Sequence, residues 1–128
     1  MIAVDTSALM AIVLGEPEAA VCMDVLESEA DVVISAGTMA EALVVAGRRG
    51  VSYEISALIE GLGLMVSPVT EATARGIALT YARWGKGLHP VGLNLGDCFA
   101  YVVAKENDCP LLYVGDDFSR TDVTSAYR

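Results

Sequence analysis

Four short apolar runs constrain what this chain can fold into: "MIAVD" (1–5), "DVVIS" (31–35), "LMVSPV" (64–69) and "LLYVG" (111–115). Each is too brief for a helix and rich in β-branched or bulky apolar residues, so each reads as a buried strand. Pro68 ends the third or places it near an edge, because proline cannot donate to a ladder. Helical segments lie between the runs. "TSALMAIVLGE" starts at a Thr/Ser cap signal, and "PEAAVCMDVLESE" carries Pro17 in a first-turn position. "AGTMAEALVVAGRRG" closes on Gly50, "SYEISALIEGLG" follows it, and "TEATARGIALTYARWG" opens with a Thr cap. "KGLHPVGLNLG" (86–96) is a loop by its Gly, Pro and Asn content, and Asp97 opens the apolar helix after it. Strands that alternate with helices require right-handed crossovers. The expectation is an α/β fold, a three-layer α/β/α domain whose short, mainly parallel sheet is flanked by helices.

Bulk properties narrow the classes of function. The 128 residues are 54% hydrophobic and 20% charged, enough for one domain spanning 1–128 with a genuine core. No apolar run approaches the roughly 18 to 20 residues of a membrane span, so no membrane partner is expected. The N-terminus has no basic leader. Cys22, Cys98 and Cys109 are odd in number and form no CxxC pair, which suits a reducing compartment; the cytoplasm is the expected location. A net charge of −9 argues against coating nucleic acid through Lys and Arg. It is compatible with an enzyme that approaches phosphates through a metal, and with a partner that offers a basic segment.

In a parallel sheet, ligands gather beyond the carboxyl ends of the strands. Asp5 ends the first strand, Asp116 and Asp117 follow the last, and Asp97 opens the helix that feeds the last. Glu41 lies in the N-terminal half of the helix after "DVVIS". Taken singly, most of these acids have structural roles available. Asp97 suits a helix N-cap, Asp5 an Asx-type turn, and Asp116-Asp117 an ordinary turn. Glu41 is the hardest to explain in this way, because "MAEALVVA" is apolar and a carboxylate, if buried there, needs a cation or a donor. Taken together, converging carboxylates repel and protonate unless a cation compensates them. An all-oxygen ligand set favours Mg²⁺ or Mn²⁺, and such ions carry out hydrolysis of phosphodiesters. His89 is the only histidine, so a ribonuclease mechanism using two imidazoles is not available. Beside Pro90, His89 reads as a loop residue.

These residues resemble a known family. "VDTSAL", the isolated Glu in "MAEAL", "LNLGDCFAYVVAKE" and "LLYVGDDFSRTDV" are similar to PIN-domain ribonucleases, and most similar to the VapC toxins of bacterial type II toxin–antitoxin systems. The resemblance runs from residue 2 to about 123 and is most specific from Leu93 through Lys105. It implies a PIN-like fold and a metal-dependent endoribonuclease, a hydrolase using Mg²⁺ (or Mn²⁺). It implies inhibition by a cognate VapB-like antitoxin, an RNA substrate, a homodimer, and contact with DNA only indirectly through the antitoxin. By position it makes Asp5, Glu41 and Asp97 the acidic core. The fourth acid is Asp116 or Asp117, with Asp116 favoured as the closer ligand. Thr6 or Ser7 corresponds to the hydroxyl beside the first Asp, expected either to bond to water on the metal or to cap the first helix.

The cations are few. Arg83 and Lys86 flank the long loop with His89 and are candidates for tracking an RNA backbone. Trp84 is available for stacking on a base, or for the core. Two other acidic α/β enzymes fit poorly. A phosphotransfer receiver wants further acids beside Asp5, and a haloacid-dehalogenase-type phosphatase wants an Asp where Ser7 stands. The competing reading from another class is a catalytically weak binding module that acts within an antitoxin–DNA repressor complex.

Overall fold

Successive residues of a strand face opposite sides of a sheet, and here that alternation divides the interior into two cores. A computed structural model describes all 128 residues. The elements run β1 (Ile2–Val4), α1 (Thr6–Val13), α2 (Ala19–Ser28), β2 (Val32–Ser35), α3 (Ala36–Arg48), α4 (Ser52–Leu62), β3 (Met65–Ser67), α5 (Glu71–Trp84), α6 (Leu95–Glu106) and β4 (Leu111–Leu112). The strand order is β3-β2-β1-β4 and every pairing is parallel, with Ala3 opposite both Val33 and Leu111. Ile2, Val4, Val32, Ile34 and Leu112 face one side, where they meet Leu9, Val25, Ala42 and Ile55 from α1 to α4. Ala3, Val33 and Leu111 face the other, against Ile77, Cys98, Val102 and Val103 from α5 and α6. The three expected layers are present. Cys22 and Cys98 are buried, Cys109 is half-buried and all three are free, and no helix is long and apolar enough to cross a membrane.

Several boundaries differ from those the sequence suggests. Asp5, through the Asx-type turn open to it, and not Thr6 caps α1, its carboxylate accepting the Ser7 amide hydrogen. Pro17 precedes α2 instead of standing in its first turn, and Glu18 at the cap makes no side-chain bond to the helix. The helix after the long loop begins at Leu95, two residues ahead of Asp97, because Asn94 is as good a cap as aspartate. Its side chain accepts from the Asp97 amide while the Asp97 carboxylate accepts from the Asn94 amide, a reciprocal capping box. Gly96 therefore lies in the first helical turn and not in a loop. At the other end, β4 stops after two residues, and the polar tail returns to bridge Leu111 with Ser125 and to bury Phe118.

The topology fixes where the acids meet. α1 and α3 each start where β1 and β2 end, so their N-termini stand at the carboxyl edge of the sheet. α6 runs back to feed β4 and so starts at that same edge. Three helix N-termini and the loop after β4 surround one spot, and helix N-termini favour negative charge.

Candidate active site

Asp5 leaves the sheet directly into the first turn of α1 and is almost fully buried. One carboxylate oxygen, Oδ2, accepts from the Ser7 amide at 3.1 Å and the Ser7 hydroxyl at 2.7 Å. The other, Oδ1, is buried and has no hydrogen-bond partner. Ser7 Oγ also accepts the Val114 amide hydrogen at 3.0 Å, which ties Asp5 to the chain leaving β4. Thr6 does something different. Its hydroxyl donates to Glu41 Oε1 at 2.7 Å and lies 3.3 Å from the Thr38 carbonyl. The two hydroxyls are thus not interchangeable: Ser7 holds Asp5, Thr6 holds Glu41, and neither side chain caps α1.

Glu41 reaches this spot because two glycines let α3 and α6 approach. A Cβ on Gly96 would overlap the Glu41 carboxylate, and a Cβ on Gly37 would overlap the Phe99 ring. Any larger residue at position 96 forces Glu41 aside. Asp97 completes the group from the first turn of α6 and is also buried.

The electrostatics are those of crowded acids. Burial pushes Asp5 up to about 6, against the lowering effect of its Ser7 bonds, and the Glu41 charge raises it further. Burial also drives Asp97 up to about 7; the Asn94 amide pulls it down, and Asp5, Asp117 and Glu41 push it up. Of the two acids after β4, Asp117 is among the charges that do most to raise Asp97. Asp116 instead lines a hollow of about 400 Å³ with Glu18, Tyr113, Ser125 and Tyr127. The structure thus brings together Asp5, Glu41, Asp97 and the charge of Asp117, while Asp116, directly before it, lines the neighbouring hollow. No three of these groups already stand at metal-ligating distances. An all-oxygen donor set with one buried, unpartnered carboxylate oxygen fits a hard divalent cation.

Arg83 and Lys86 are not among the groups that do most to shift Asp5 or Asp97. Arg83 lies over the Trp84 ring, 4.5 Å from its centroid, and pairs with Asp122 at 3.7 Å. Trp84 donates from Nε1 to the Tyr101 hydroxyl at 3.3 Å and packs edge-on against His89. His89 Nδ1 accepts the Val91 amide hydrogen, the loop role its neighbourhood suggested. Sequence reasoning missed Gly96, Gly37 and the Tyr101–Asp122 bond. A glycine directly before an acid, in a segment capped by Asn94, was the available signal for Gly96.

Comparison with known proteins agrees with this geometry. Residues 2–123 match the family model described as the PIN domain. Ribonuclease VapC42 of Mycobacterium tuberculosis is 39% identical over 127 residues, covering 96% of this chain and 97% of that protein. Ribonuclease VapC28 of the same organism is 42% identical over 128 residues, covering 96% of each. Among solved structures, Mycobacterium tuberculosis VapC20, described as a sarcin–ricin-loop-cleaving toxin, superposes with a TM-score of 0.82 at 17% identity and covers 100% of both chains. A toxin–antitoxin complex from Klebsiella pneumoniae gives 0.73 at 18% identity, covering 100% of this chain and 99% of that one. The fold, the acids gathered at the carboxyl edge of its sheet and relatives that span nearly its whole length agree: the chain belongs to the PIN-domain family, in its VapC branch.

Proposed function

We propose that this chain is a divalent-metal-dependent endoribonuclease toxin, which hydrolyses RNA phosphodiester bonds and is inhibited by a cognate antitoxin. The observation that carries the reading is the Asp5 carboxylate: buried, supported on one oxygen by Ser7, and left without a partner on the other. A buried acid with a free oxygen is costly unless something positive meets it. Asp97 and Glu41 add further negative charge at the same place. The ion is Mg²⁺ or Mn²⁺, held by Asp5, Asp97 and Glu41, with Asp117 as the fourth acid. When bound, it supplies Lewis acidity to the phosphodiester and to the attacking water.

The chain's own residues do the rest. Ser7 holds Asp5 by Oδ2 and leaves Oδ1 without a partner, and Thr6 fixes the Glu41 carboxylate. The α6 capping box holds Asp97 by one oxygen, leaving the other for the cation. The VapC names of the relatives and the toxin–antitoxin assembly of the Klebsiella neighbour support RNA as substrate and an antitoxin as partner. A net charge of −9 suits an antitoxin with a basic segment.

The test is incubation of the antitoxin-free protein with folded cellular RNAs in Mg²⁺, Mn²⁺ or chelator, with Asp97→Asn in parallel. The expected outcome is discrete cuts with 5′-phosphate ends, only with metal and only with the native acid. Cyclic-phosphate ends, or cutting in chelator, overturn the metal mechanism. A folded, metal-binding protein that never cuts points to the binding-module reading.

A further inference from the structure

The segment after β4 docks on α6 at two levels. Near the start of α6, the Val114 amide donates to Ser7 Oγ, whose hydroxyl holds Asp5, and the Asp117 charge three residues further on repels Asp97. One turn later, Tyr101 occupies the position four residues beyond Asp97 and so lies on the same helix face. There the interaction is attractive. The Tyr101 hydroxyl donates to Asp122 Oδ1, Lys105 Nζ donates to Asp122 Oδ2 at 3.3 Å, and Arg83 Nη1 approaches the same oxygen at 3.7 Å. Tyr101 is itself buried and fixed from behind by Trp84 Nε1. Asp117 and Asp122 are only five residues apart, and tight local bonds shorten the span. Ser119 returns to the Asp116 carbonyl, and Thr121 bonds to the Phe118 carbonyl through both its amide and its hydroxyl. Phe118, fully buried against Tyr113, pins the middle.

We infer that Asp122 is a positioning residue for the metal site, its bonds to Tyr101, Lys105 and Arg83 holding the segment that carries Asp117 against α6 despite the repulsion from Asp97. Asp117 is exposed and its carboxylate is bonded to nothing, so like charge alone would swing it outward. The inference rests on the metal-dependent reading above and adds a residue to it. Asp122 does not touch the cation; it acts through Asp117.

The experiment is a double-mutant cycle read by calorimetric titration of Mn²⁺ into the chelator-stripped chain. The chains compared are wild type, Asp122→Ala, Asp117→Ala and the double variant. Asp122→Ala is expected to weaken Mn²⁺ binding by about tenfold, as outer residues of metal sites do. In the Asp117→Ala background it is expected to change nothing further. Tyr101→Phe, which removes only the donated hydroxyl, is expected to weaken binding in the same direction but less. In RNA cleavage, Asp122→Ala should lower kcat while leaving KM for RNA unchanged. Additive losses in the double variant, or Mn²⁺ binding by both Asp122→Ala and Tyr101→Phe equal to wild type, overturn the inference and leave the metal reading standing. Absence of Mn²⁺ binding by the wild-type chain overturns both.

Discussion

Two carboxylates, Asp97 on α6 and Asp122 of the tail that bonds to Tyr101 one turn further along it, live under opposite rules. Asp122 meets a tyrosine hydroxyl, a lysine and an arginine, and these partners, the Tyr101 bond foremost, hold its carboxyl below the ordinary range. Asp97 meets burial and three other acids, which hold its carboxyl well above it. The first arrangement is what stability alone selects. The second opposes stability, and a fold retains it only where something outside the chain completes it. A site is thus recognisable as the place where the packing rules obeyed elsewhere are broken.

The same substitution at both positions gives the sharpest break of that comparison. Asp97→Asn keeps an oxygen for the Asn94 amide but removes the repelled charge. It should cut RNA cleavage by on the order of a thousandfold and yet raise the melting temperature of the metal-free protein at pH 8. Asp122→Asn should lower that temperature. If both variants melt lower, the acids at the sheet edge are not strained by one another and the contrast fails.

Acid–base titration of stability gives the next largest effect. Asp5 and Asp97 titrate near 6 and 7 when folded, against an ordinary value of 3.8. Between those values the folded chain binds more protons than the unfolded one, so it gains stability as the pH falls from 8 toward 5. The gain is on the order of 3 kcal/mol, because moving one carboxyl's titration by a single pH unit corresponds to about 1.4 kcal/mol and the two acids protonate at each other's expense. Asp122, with its carboxyl held low, works the other way; its contribution is lost only as the pH drops below the ordinary carboxylate range. Metal-free stability should therefore peak near pH 5, and saturating Mg²⁺ at pH 8 should remove most of the slope. Chemical denaturation in chelator across this range measures it. A flat profile would mean the site acids are not desolvated together.

How much of this was legible beforehand follows from which interactions are local. The strands were readable because burial on both faces leaves continuous apolar runs, and their parallel order follows from the helices between them. Asp5 and Glu41 were readable because a carboxylate stands out in such a run. The cap of α6 was misread because Asn94 and Asp97 both carry cap chemistry, and only the backbone path decides which one serves. Asp116 and Asp117 are adjacent, so which of them serves depends on how the tail turns, and the buried Phe118 pins that turn. Thr6 and Ser7 divide their labour between α3 and β4, elements that are distant in sequence. Nothing local encodes that.

Gly96 tests the close approach of α3 and α6. In an ordinary helix an exposed Gly→Ala change stabilises by about 0.5–1 kcal/mol. Here a Cβ would overlap the Glu41 carboxylate, pushing it off the Thr6 hydroxyl and away from Asp97. Gly96→Ala should therefore weaken Mn²⁺ binding and cleavage by roughly 10–100-fold, while thermal stability changes little or rises. Unchanged metal affinity would show that Glu41 has other room to occupy.

The smallest effect is expected at Thr6, where only one hydrogen bond is at stake. Thr6→Val keeps the shape and the β-branch in the first turn of α1 but removes the donor to Glu41 Oε1. Glu41 then keeps its place on α3 but loses its fixed orientation. The expected cost is about 1 kcal/mol in metal affinity, or some fivefold, from one bond to a charged acceptor. Ser7→Ala supplies the contrast. It removes a bond from Asp5 Oδ2 and the acceptor for the Val114 amide, so it should also lower thermal stability, which Thr6→Val should leave nearly unchanged. Equal melting temperatures for the two variants would mean that Ser7 does not tie Asp5 to the chain leaving β4. A larger loss of metal affinity in Thr6→Val than in Gly96→Ala would mean that Glu41 is held by its hydroxyl partner more than by the space the glycine leaves.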